Sequence, residues 1–174
     1  MSETPSLLGR DRIIAALRLL GERLQDRGVE AHIYVVGGAA MALCFARDRV
    51  TRDIDAVFEP KAQVYEVARA LAPELGLTDD WLNDAAKGFV PGADPSALPV
   101  FTAPGVEVTS ASAQTLLAMK LLASRVEQDT DDIVALAGIL GLTTSEEILA
   151  VALARYPADL MPPRARFLVE SLFS

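Results

Sequence analysis

Val35-Val36-Gly37-Gly38-Ala39-Ala40, followed by Thr51-Arg52-Asp53-Ile54-Asp55-Ala56-Val57-Phe58, decides how this chain is read. Ala31 to Val36 is a β-branched and aromatic run, which predicts a strand. Gly37-Gly38 ends it. Ala39 to Arg47 is rich in Ala, Leu and Met and predicts a helix. Thr51 to Phe58 returns to strand, and Pro60 stops it.

The carboxylates carry the chemistry. Residues i and i+2 of a strand point to one face. Asp53 and Asp55 would then stand roughly 6–7 Å apart at the backbone, close enough for their side chains to converge on hard cations. Two such acids repel unless a cation neutralises them. Mg²⁺ or Mn²⁺ takes oxygen ligands and fills the rest of its shell with phosphate and water, so the pair points to phosphoryl chemistry.

Gly37 and Gly38 supply the other half. A strand that runs through glycine into a helix offers free backbone N–H groups at a positive helix end. Glycine has no side chain to keep a phosphate away. Each part also has an ordinary reading, a tight turn for the glycines and a solvated strand for the acids. Their combination, with Thr51-Arg52 just before the acids, favours function.

Working outward, Ile13, Ile14, Leu17, Leu20 and Leu24 recur at helical spacing before Gly28, predicting a helix over 10–27. Val64, Val67, Ala68 and Leu71 predict another over 62–71. Thr78 is expected to cap a short helix through Trp81 and Leu82. Pro91 to Pro95 reads as a loop. Short strands are expected at Leu98–Phe101 and Val106–Val108, turning at Pro104-Gly105. From Ser112 the pattern is helical, about 113–126, 131–140, 145–155 and 163–173, with Thr144 or Ser145 starting the third of these.

The expected fold class is therefore α+β. It comprises a mixed β-sheet with helices over 1–111, including the N-terminal helix, and a helical C-terminal segment over 112–174 packed on it. The chain of 174 residues is 51% hydrophobic, which rules out disorder as a general state. A net charge of -8 argues against a surface that binds nucleic acid everywhere, although a local basic groove is compatible with it. Cys44 is the single cysteine, so no internal disulfide forms. Met1 to Arg10 lacks the pattern of a signal peptide, and Ile33 to Ala46 is too short to span a bilayer. No membrane association and a cytoplasmic location are expected. His32, Cys44 and Trp81 read as structural residues, and Arg47, Arg49 and Arg52 crowd the metal strand.

The glycine pair, the helix and the Asp53-Ile54-Asp55 strand together resemble the DNA polymerase β-like nucleotidyltransferase superfamily. Thr51-Arg52-Asp53-Ile54-Asp55 is most similar to AbiEii-type bacterial toxin nucleotidyltransferases and related uncharacterised bacterial proteins. Met119-Lys120-Leu121-Leu122, Arg125 and Asp129-Thr130-Asp131-Asp132-Ile133 resemble a second motif of that group. Trp81 to Phe89 resembles a further segment.

The resemblance implies a metal-dependent enzyme. Asp53 and Asp55 would hold Mg²⁺ or Mn²⁺. Gly37, Gly38, Thr51, Arg52, Lys120, Arg125, Asp129 and Asp132 would bind the nucleoside triphosphate co-substrate. Glu107, on the strand Val106-Glu107-Val108, is the candidate third catalytic carboxylate. Transfer of a nucleoside monophosphate to an acceptor hydroxyl is expected, with pyrophosphate leaving. RNA, such as a tRNA 3′ end, is the expected acceptor for the toxin of a toxin–antitoxin pair, with a cognate antitoxin protein as partner. The alternatives are transfer to a small antibiotic-like molecule, or a non-catalytic binding module. Oligomeric state is not legible in the sequence.

Overall fold

The computed structural model describes residues 6–173, and they form an α+β fold. The elements run α1 (Arg10–Asp26), β1 (Ala31–Val35), α2 (Gly37–Ala40), β2 (Ile54–Glu59), α3 (Lys61–Leu75), β3 (Leu82–Asn83), β4 (Leu98–Ala103) and β5 (Val106–Ser110). Four helices follow: α4 (Ala113–Ala123), α5 (Val126–Ile139), α6 (Ser145–Leu153) and α7 (Pro163–Leu172). No helix among the described residues is long and apolar enough to cross a membrane.

The chain divides into two compact units. The first holds the described residues up to Gly88 together with Ala97–Ser110. Its five-stranded sheet has the order β3-β2-β1-β5-β4. The central strand β1 pairs antiparallel with β2 and parallel with β5, and β4–β5 is an antiparallel hairpin. Alternation sorts the side chains. Ala31, Ile33, Val35, Ile54, Ala56, Phe58, Val106 and Val108 are buried on the face that α1 and α3 cover. His32, Tyr34, Asp55, Val57, Glu59, Glu107 and Thr109 point to the other face and keep access to solvent.

α1 is amphipathic, burying Ile13, Leu17, Leu20 and Leu24. It approaches the β4–β5 turn backbone to backbone. A Cβ on Gly21 would lie 2.7 Å from the Pro104 carbonyl oxygen, and one on Gly105 (φ 78°) would lie 2.0 Å from the Gly21 carbonyl oxygen. Two side-chain-free residues are what this crossing requires.

Three expectations are corrected here. No helix forms at Thr78–Leu82. Leu82 and Asn83 form the edge strand β3, and the Ile54 N–H donates to the Trp81 carbonyl at 2.6 Å. Trp81 itself is fully buried, its Nε1 donating to the Ala68 carbonyl at 2.8 Å. The strand read from Thr51 begins only at Ile54, with Asp53 in a bend before it. The helix read from Ala39 starts at Gly37 and ends in a π-helical turn, Met41–Phe45.

The second unit holds Phe89–Ser96 and the described residues from Ala111 onward. The helix read over 113–126 is interrupted at Ser124, whose φ of 47° is left-handed, and α5 starts at Val126 rather than at residue 131. α6 opens on a capping box between Thr144 and Glu147. Arg155 fastens the Pro91–Pro95 loop to the helices, donating to the Ala93 carbonyl, Asp94 and Thr115 at 3.0, 3.1 and 2.8 Å. The Tyr156 hydroxyl donates to the Phe89 carbonyl, and burial pushes its pKa up to about 12.

Candidate active site at Asp53 and Asp55

The site grows from the end of the central strand. Beyond β1, the Val36 N–H donates to the Asp55 carbonyl at 2.9 Å, so the next residue steps off the sheet beside Asp55. Gly37 takes a φ of 60°, a conformation that L side chains rarely adopt. A Cβ there would lie 3.2 Å from Asp55 Oδ2. A Cβ on Gly38 would lie 3.3 Å from Thr51 Oγ1. The glycine turn thus lies directly against the side chains of Asp55 and Thr51.

Thr51 braces the approach to the acids. Its backbone pairs with Leu8 (N···O 2.7 and 3.0 Å), and its hydroxyl donates to the Asp53 carbonyl at 3.0 Å. Asp53 and Asp55 are both half-buried, and Arg52 is exposed in the bend between Thr51 and Asp53.

Asn83 and Asp80 were not anticipated as neighbours. Asn83 stands opposite Asp55 in the β2–β3 register, and its Nδ2 donates to Asp53 Oδ2 at 3.5 Å. Burial, then the negative charge of Asp80, raises the Asp53 carboxyl above its ordinary pKa, and Asn83 opposes this. Reading Thr78–Leu82 as helix hid both residues. The signal that could have found them is the polar Asn83-Asp84 after the apolar Trp81-Leu82. That stretch is anchored by Tyr65, whose hydroxyl donates to Asp84 Oδ1 at 2.6 Å, and by Lys61 at 2.8 Å. Lys61 and Tyr65 hold the Asp84 carboxyl below the usual range.

Asp53 and Asp55 offer carboxylate oxygens, the donor type that a hard divalent cation takes. Asp53 is a carboxylate whose charge its surroundings oppose, and a cation would relieve that opposition. Among the described residues no group of three or more His, Cys, Asp or Glu side chains is gathered as a metal cage.

Glu107 is not brought to the pair. It lies opposite His32, which lies opposite Glu59, so it is offset from the level of Asp55 by four residues, about 13 Å along the strand. It shares the solvent-accessible sheet face but sits 3.3 Å from His32 Nδ1 (to Oε2). Parity alone could not reveal this, because the register depends on which strands pair.

Lys120, Arg125, Asp129 and Asp132 belong to the second unit, where they form a cluster of their own. Lys120 Nζ is 3.0 Å from Asp129 Oδ1 and 2.8 Å from Asp132 Oδ2, with all three residues buried. Arg125 adds bonds from Nε (3.1 Å) and Nη2 (3.2 Å) to Asp129. Burial pushes the Asp129 carboxyl up, but Arg125 and Lys120 outweigh it and hold the pKa below the ordinary value. Within this unit the Lys120 ammonium is already matched by two carboxylates. No family model, curated protein or solved structure matches this chain.

Proposed function

We propose that the chain is a metal-dependent nucleotidyltransferase centred on Asp53 and Asp55. The observation that supports this reading is the closeness of the Gly37 turn to the Asp55 carboxylate; read this way, an anion cradle stands beside a cation ligand. In this reading Asp53 and Asp55 hold the divalent ion, and the backbone of Gly37 and Gly38 receives phosphate oxygens. Thr51 keeps the two halves in register, and Arg52 offers a guanidinium to the nucleotide. A bound Mg²⁺ or Mn²⁺ supplies charge neutralisation on the phosphate oxygens.

The reaction is an in-line displacement. The acceptor hydroxyl oxygen bonds to the α-phosphorus, the bond from that phosphorus to the bridging oxygen breaks, and pyrophosphate leaves. The hydroxyl proton passes to solvent. Positioning and electrostatics account for the acceleration. RNA, as a tRNA 3′ end, is the acceptor expected from the resemblance, with the chain as a toxin held in check by an antitoxin protein. The net charge of -8 favours a second reading, transfer to a cationic small molecule.

The test is Mg²⁺-dependent transfer of label from each nucleoside triphosphate to RNA and to a panel of cationic hydroxyl compounds, alongside calorimetry of Mg²⁺–nucleotide binding. Transfer abolished by Asp53→Asn supports the reading, and the labelled product chooses between acceptors. Absence of both transfer and nucleotide binding removes it.

A further inference from the structure

The first unit also holds a concentration of positive charge, apart from the aspartates. Arg10 and Arg12, in the first turn of α1, and Arg47, just after the π-helical turn, line an open cleft of about 420 Å³ with Gly9 and Asp11. How the guanidinium groups are held distinguishes it. Arg12 donates to the Leu75 carbonyl at 2.9 Å, to the Leu7 carbonyl at 3.0 Å and to the Ser6 hydroxyl. Arg10 Nε donates to the Leu43 carbonyl at 3.2 Å.

All of these acceptors are neutral. They fix the side chains without cancelling their charge. Arg23 and Arg27 of the same unit behave differently, each paired with a carboxylate at 3.0 Å (Glu74 and Glu66). Asp11 is the one acid lining the cleft among the described residues. It stands 3.8 Å from Arg10 Nη1 with its side chain fully in solvent, where such a contact contributes little. Structural duty accounts for Arg12 and for one edge of Arg10, which caps the negative end of the π-helical turn. It does not account for Arg47, an exposed third arginine at the same cleft.

We propose that this cleft is a phosphate-binding site, taking the phosphate of a phosphodiester chain or a free phosphate anion. Guanidinium forks suit phosphate oxygens, and held side chains lose little entropy on binding. The Leu8–Thr51 backbone pair stitches the start of α1 to the loop that delivers Asp53. The backbone that begins the cleft is thus tied directly to the backbone that leads into Asp53. On the transferase reading the cleft is where an acceptor chain would rest, but it stands on its own observations.

The full chain is titrated with inorganic phosphate by calorimetry and with labelled single-stranded RNA by anisotropy across salt concentrations, as wild type and as Arg47→Glu. Circular dichroism checks that the variant folds, and Mg²⁺–nucleotide binding is measured on both proteins. Wild type is expected to bind at least one probe, and Arg47→Glu to weaken that binding at least about tenfold. With RNA, the variant is also expected to flatten the logarithmic salt dependence by about one or more. RNA binding alone identifies a phosphodiester, and phosphate binding alone identifies the free anion. Equal binding by both proteins, or none by wild type, overturns the site. Loss of RNA binding in Arg47→Glu while wild type neither binds nor transfers nucleotide keeps the cleft and removes the transferase reading.

Discussion

Gly37 and Asp55 lie so close that a Cβ on Gly37 would stand 3.2 Å from Asp55 Oδ2, tighter than an ordinary van der Waals contact. A chain segment with φ near 60° and a carboxylate on the neighbouring strand are thus mutually fitted. The fit is unrelated to core packing, because both residues are half-buried.

Gly37→Ala is expected to destabilise the fold by about 1–2 kcal/mol from left-handed backbone alone, and to weaken Mg²⁺–nucleotide binding at least about tenfold. Gly38→Ala has no positive φ and meets only Thr51, so it should cost less. Thermal melts and calorimetry of the two variants check the order. Equal losses would break the argument.

Asp53→Asn should raise the melting temperature of the metal-free protein while abolishing transfer. The Asp53 carboxyl is raised in the folded state by burial and by Asp80. A raised carboxyl disfavours the folded anion, so its cost is fully present above the folded pKa. The cost fades as pH falls through that value toward the ordinary 3.8. The advantage of the variant should therefore shrink on acidification, and saturating Mg²⁺ should reverse it. Melting curves across pH, with and without Mg²⁺, read all three effects.

Lys120→Met should be strongly destabilising, by about 3–5 kcal/mol, because it removes the buried ammonium that two buried carboxylates share and leaves Asp129 to the half-exposed Arg125. Arg125→Ala should cost much less, since its side chain is 58% exposed. Asp129 is depressed in the folded state, so its contribution is present above the ordinary 3.8 and lost as pH falls through its lower folded pKa. Urea unfolding of the variants at neutral and acidic pH tests both the ranking and the sign.

Gly105→Ala and Gly28→Ala separate strain from crowding. Both glycines have positive φ, 78° and 71°. A Cβ on Gly28 meets nothing within 4 Å, whereas one on Gly105 meets the Gly21 backbone at 2.0 Å. Gly28→Ala should cost about 1–2 kcal/mol and Gly105→Ala at least about 2 kcal/mol more, by chemical denaturation. Similar costs would mean that α1 and the hairpin turn can part without penalty.

The strand at Ala31–Val35, the glycine turn, the hairpin at Pro104-Gly105 and the helical C-terminal part were legible because periodicity and turn residues are local signals. β3 was not. Two residues carry no periodicity, and they become a strand only by pairing with β2. Asn83 and Asp80 were hidden with it. The level of Glu107 was equally out of reach, because it depends on β1 running antiparallel to one neighbour and parallel to the other. The break at Ser124 was missed because a left-handed serine has no compositional mark; it is held there by its hydroxyl on the Leu121 carbonyl. The Arg10–Arg47 cleft joins residues that only the fold brings together.

Because β1 sits in the middle of the sheet, its amide and carbonyl groups are engaged on both sides, and the Gly37 turn hangs from its last residue. Opening that turn by fraying would mean rupturing two ladders at once. Amide exchange along Ala31–Val35 should therefore be among the slowest in the molecule and follow whole-domain unfolding. The carboxylate on β2 and the turn it faces should keep their relative position until the domain itself comes apart, so that loss of ligand binding and loss of structure coincide along a denaturation curve.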